Sequence, residues 1–112
     1  MKAFTLFSIV ALSLLAGSAG ASERATVCAK YAVNYGWSSG YKVEATIVNG
    51  SELNQSTHTL NYNGLATYVV IFWSQGQASL IEMSFPYLGP VAEDGTDQEG
   101  RKWQVAKSDF CI

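Results

Sequence analysis

Residues 65–85 read LATYVVIFWSQGQASLIEMSF, from Leu65 to Phe85, and the reading of this stretch decides the fold. Tyr68, Val69, Val70, Ile71, Phe72 and Trp73 form an unbroken run of β-branched and aromatic residues, so both faces of the strand they make are to be removed from water. That predicts a central strand. Ser74, Gln75 and Gly76 follow with turn chemistry, and a second apolar run returns through Leu80, Ile81, Met83 and Phe85, so the two runs are expected to pair as an antiparallel hairpin.

Working outward towards the N-terminus, Tyr41 to Val48 alternates between Tyr41, Val43, Ala45 and Ile47 on one face and Lys42, Glu44 and Thr46 on the other. Ala25 to Tyr35 alternates in the same way, with Cys28 on its more polar face. Period two over such lengths is the pattern of a half-buried strand. Gly36-Trp37-Ser38-Ser39-Gly40 joins these two strands as a turn. Asn49-Gly50 and Asn63-Gly64 both tolerate positive φ and predict further hairpin turns, which leaves Ser51 to Tyr62 as a polar segment whose second half, Ser56 to Tyr62, reads as an edge strand.

Towards the C-terminus, Pro86 and Pro90 end the hairpin's second strand, because neither can donate to a ladder. Tyr87 to Gly100 is then expected to be one long acidic connection, and Arg101 to Lys107 a last strand with Trp103 and Val105 inward. Trp73 and Trp103 are assigned to the core. Turns so evenly spaced predict an all-β domain, a single up-and-down antiparallel meander of five to six strands curled into a small barrel or open sandwich. No helix of useful length, internal repeat or second domain is expected. An immunoglobulin pattern is excluded: the cysteines are too far apart, and Asp109 stands where a Tyr should precede the second one.

The first 21 residues read as an address. Lys2 precedes an apolar run from Ala3 to Ala16, and Ala19-Gly20-Ala21 supplies small residues for cleavage before Ser22, the layout of a secretory signal peptide. The apolar run falls short of the roughly 18–20 residues that span a bilayer, so no transmembrane anchor is expected. Residues 22–112 then form the domain, secreted or periplasmic, in which Cys28 and Cys111 are predicted to pair as a disulfide. Once Lys2 is removed, six Lys and Arg stand against nine Asp and Glu. Nucleic acid is excluded as a partner, since its binding needs clustered positive charge.

Catalytic patterns are sparse. His58 is the only histidine, lies in a polar Ser-Thr-His-Thr context and has no G-x-S-x-G elsewhere to serve. Glu44 and Glu82 lie on strands and are the one pair of carboxylates that could support glycoside hydrolysis, a reading ranked third. The acidic run 93–99 does not follow the order of a calcium loop, so no metal site and no cofactor is assigned. Tyr31, Tyr35, Trp37 and Tyr41 cluster around one turn, and aromatic rings with polar tips are favoured at contacts with partners. Of these, Tyr35, Trp37 and Tyr41 are the expected binding residues. The expected function is a non-enzymatic binding module that engages or inhibits a protein outside the cytoplasm, with a glycan- or cell-wall-binding role as the alternative.

Overall fold

A computed structural model describes residues 22–74 and 76–111. Among them run β1 (Glu23–Val33), β2 (Gly36–Trp37), β3 (Tyr41–Asn49), α1 (Gly50–Thr57), β4 (Thr67–Ser74), β5 (Gln77–Met83), β6 (Glu93–Thr96) and β7 (Lys102–Ala106). Strands β1, β3, β4, β5, β6 and β7 each pair antiparallel with the next, and β7 pairs back onto β1. Six strands therefore close into a barrel, the closed form of the predicted meander, which leaves no long unpaired edge among the described residues. The seventh strand, β2, folds back on the end of β1 with Ala32 opposite Trp37. The predicted leader, 1–21, lies outside the described residues, and no helix among those described is long and apolar enough to cross a membrane.

Alternation fills the barrel. Val27, Ala29, Ala45, Val69, Ile71, Ile81, Met83, Trp103 and Val105 are buried together, with Tyr31, Val43 and Ile47 packed against them. The largest fully buried side chains, Ile71, Ile81, Val27, Val69 and Val105, each contribute about 1.5–3 kcal/mol by leaving water. One inward position admits no side chain at all: a Cβ on Gly95 of β6 would lie 2.6 Å from Ile81 Cγ2 and 2.9 Å from Met83 Sδ.

The quoted central strand is buried on both faces only from Tyr68 to Ile71. Val69 and Ile71 face the barrel interior. The outer face is covered by α1 and the 58–66 loop: Leu53 and Ser56 border the same shallow cleft as Val48 and Val70, while Tyr62 packs edge-on to Tyr68 at 5.5 Å. Beyond this cover Phe72 is exposed, and Trp73 is 36% exposed, so its assignment to the core holds only in part.

Helix α1 corrects the reading of 49–62, where a hairpin turn and an edge strand were expected. Asn49 keeps extended backbone and its side chain accepts a hydrogen bond from the Glu52 N–H at 2.8 Å, which makes it a helix N-cap. Gly50 is needed for space: its N–H donates to the Ala66 carbonyl at 2.9 Å, and a Cβ would fall 1.8 Å from the Asn63 carbonyl oxygen. The helix stops at His58, exposed and left-handed at φ 57°, whose N–H returns to the Asn54 carbonyl. Nor is 87–100 a single connection. Its acids Glu93 and Asp94 belong to β6, and the segment before it crosses the barrel's lower end, where Leu88 is buried as a plug. Thr67 Oγ1 donates to the Pro86 carbonyl, and the Lys107 N–H to that of Gly89, both at 2.7 Å.

Cys28 and Cys111 are joined, with Cα atoms 5.3 Å apart. Cys28 sits on the outer face of β1 opposite Ala106 of β7, so the disulfide ties the C-terminal tail to the seam at which the barrel closes.

Candidate functional site

The upper end of the barrel, opposite Leu88, carries the β1–β3, β4–β5 and β6–β7 connections. Barrel strands are tilted, so the residues that reach one end do not share one hydrogen-bonded row. Following the inward positions up each strand gives one terminal residue apiece: Tyr31, Tyr41, Trp73, Ser79, Asp97 just past β6, and Trp103. Four aromatic rings, a hydroxyl and a carboxylate make the top layer.

The four rings close on themselves. Tyr31 stacks on Tyr41 at 6.0 Å, Tyr41 meets Trp73 edge-on at 5.6 Å, Trp73 stacks on Trp103 at 6.1 Å, and Trp103 returns edge-on to Tyr31 at 5.5 Å. Such pairs contribute about 0.5–1.5 kcal/mol each beyond the area they bury. The two polar members hold the indoles in place. Trp73 Nε1 donates to Ser79 Oγ, and Trp103 Nε1 to Asp97 Oδ2, both at 2.9 Å.

Asp97 also accepts from the Glu99 and Arg101 N–H groups at 2.9 Å each, which folds the β6–β7 turn around it. Partial burial works to raise its pKa, but the Trp103 indole, the two backbone donors and the Arg101 charge outweigh it and hold the carboxyl below its ordinary value. Arg101 in turn lies over the Tyr31 ring at 5.1 Å from its centroid. Beside it, hydrogen bonding to Tyr31 first, then the charge of that phenol and some desolvation, push the Tyr41 phenol up.

The layer is unevenly exposed. Trp103 is 3% exposed, whereas Tyr41 and Trp73 are 38% and 36% exposed and present ring surface to water. Above it β1 and β2 run on as a hairpin, pinned where Ser38 N–H donates to the Tyr31 carbonyl at 2.9 Å and Tyr31 N–H to Ser38 Oγ at 3.1 Å.

The three residues expected to bind a partner fall at this end in different ways. Tyr41 belongs to the ring. Tyr35 is fully exposed in the turn between β1 and β2, and Trp37, opposite outward-facing Ala32, is 41% exposed on the hairpin's outer side. Tyr31 was grouped with Tyr41 from the sequence, but Trp73 and Trp103 were missed as its partners. A signal for them existed: each ends an inward series, and strands of alternating direction bring those ends together.

The other candidates stay apart. Glu44 lies on the outer wall, ion-paired with Arg24. Glu82, two strands away, accepts from Tyr68 Oη at 3.3 Å and Asn63 Nδ2 at 3.4 Å. Burial chiefly, opposed by the hydrogen bond with the Asn63 N–H and reinforced by the Glu82 charge, raises the Tyr68 phenol. From the strand register Glu44 and Glu82 are about 16 Å apart along the wall. Among the described residues no group of three or more His, Cys, Asp or Glu could hold a metal ion. No known protein family, curated protein or solved structure matches this chain.

Proposed function

We propose that the domain is an exported, non-enzymatic binding module, and that its contact surface is the aromatic upper end of the barrel with the β1–β2 hairpin beyond it. The partner is a protein of the envelope or the extracellular space, which the domain engages or inhibits. The observation that carries this reading is the closed ring of Tyr31, Tyr41, Trp73 and Trp103, locked from below by Ser79 and Asp97 and open to water on Tyr41 and Trp73. Tyr, Trp and Arg are the residues that dominate binding energy at protein interfaces, and rings already fixed by their neighbours lose little freedom on contact.

Two further features support it. Glu44 and Glu82 are much farther apart than the roughly 5–10 Å that glycoside hydrolysis needs between its carboxylates. The Cys28–Cys111 link and the leader-like first 21 residues support export.

The test is capture. Oxidised protein comprising 22–112 is immobilised, offered the exported proteins of the producing cells, and compared with Trp37→Ala and Tyr41→Ala. One defined partner is expected, with each substitution weakening its binding by about 2 kcal/mol or more, roughly 30-fold. Equal capture by all three proteins contradicts the proposal. Retention on cell-wall polysaccharide, with release by free sugar, moves the function to glycan binding.

A further inference from the structure

We infer that the partner surface which receives this end of the barrel is acidic, a concave protein surface lined by Asp and Glu. The inference rests on the reading above that the aromatic end is the contact surface, and it adds the chemistry of what docks there.

Charge is sorted along the barrel. Of the six Lys and Arg among the described residues, Lys42, Arg101 and Lys102 lie at the upper end, whereas Lys30 lies on the side wall, in a cleft with Cys28, Pro90, Ala92 and Phe110. Among the described residues Asp97 and Glu99 oppose those three there. The rest of the domain holds Arg24, Lys30 and Lys107 against seven acids, so a chain of net negative charge is net positive around its aromatic end. Arg24 and Lys107 are in addition taken up by ion pairs with Glu44 and Glu23. Arg101 and Lys42 are exposed and make no ion pair among the described residues.

Shape points the same way. The hairpin extends β1 two residues past Tyr31 and then turns, so this end projects about 7 Å beyond the top layer. A projecting aromatic tip with net positive charge around it is complementary in form and sign to an acidic recess, and such complementarity sets encounter rate and excludes wrong partners.

The probe is poly(Glu,Tyr), an acidic copolymer of protein character, with polygalacturonate as an anionic glycan. Each is titrated into the ¹⁵N-labelled oxidised domain. With poly(Glu,Tyr), amide shifts are expected at 30–42 and 101–103, and the Kd should rise about tenfold or more between 50 and 300 mM salt. Lys42→Glu and Arg101→Glu should each weaken binding about tenfold, whereas Lys107→Glu, the same charge change at the far end, leaves it unchanged. Absence of binding, or binding indifferent to Lys42→Glu and Arg101→Glu, overturns the inference. So does polygalacturonate binding the same residues more tightly. If capture of the exported partner depends on Trp37 and Tyr41 but not on these charges, the acidic surface is refuted and the contact surface stands.

Discussion

Replacing Cys28 and Cys111 together by Ser lowers the stability of the domain by about 4–5 kcal/mol in urea unfolding. The cysteines are 83 residues apart, and on the chain-entropy account closing a loop of that length removes this much freedom from the unfolded chain. The location makes the loss specific. Every other neighbouring pair of barrel strands is connected through a short or moderate stretch of chain, whereas β1 meets β7 across almost the whole domain. Without the disulfide, amide exchange is expected to accelerate first at the seam, at 28–31 and 103–106, before the β4–β5 hairpin is affected. A loss below about 1 kcal/mol, or uniform acceleration, contradicts the role given to the link.

Trp103→Ala is the most damaging single substitution in the aromatic layer, costing about 3–5 kcal/mol. Trp103 is almost wholly buried, packs against both Tyr31 and Trp73, and gives Asp97 its only side-chain donor among the described residues. The change therefore has a second, pH-dependent signature. Asp97 has a depressed pKa in the folded state, so its contribution is fully present above the unfolded value near 3.9 and is lost as pH falls through the folded one. Removing the Trp103 indole lets the carboxyl's pKa rise towards the unfolded value, so less stability is left for acid to remove through Asp97, and the midpoints of variant and parent should converge as pH falls below about 4. Thermal midpoints measured from pH 7 down to 2 check both parts. Parallel curves would show that Asp97 is not held by Trp103.

Much of the barrel was legible because it is built from period-two alternation, and alternation alone assigns inside and outside to Val27-Ala29, Val43-Ala45-Ile47 and Trp103-Val105. Two segments were not legible, for different reasons. Asn49-Gly50 is a hairpin dipeptide by type, but Asn also caps helices, and the following segment, with Leu53 as its one large apolar residue, offers no apolar stripe to announce a helix. What decides is tertiary: Gly50 must pass within contact of the Asn63 carbonyl. Strand β6 hid within an acidic run because its inward position is Gly95, whose missing side chain leaves the space that Ile81 and Met83 fill.

The site was half visible. Proximity in sequence singled out Tyr31, Tyr35, Trp37 and Tyr41 around one turn, and all four do lie at the same end. Yet two of the rings that complete the layer come from 73 and 103, and joining them needs the direction and register of four strands. Sequence neighbours mark the hairpin; only the closed barrel reveals the ring beneath it.

Contact through the aromatic end, as proposed, is tested most directly by cross-linking. A photoreactive benzoylphenylalanine is placed at Tyr35, at the tip of the hairpin, or in a second chain at Tyr87, which is also exposed but lies at the barrel's other end. Both are exported from the producing cells and irradiated there. A single cross-linked protein adduct is expected from position 35 and none from position 87. An adduct from 87 alone, or the same adduct from both, would contradict contact through the aromatic end.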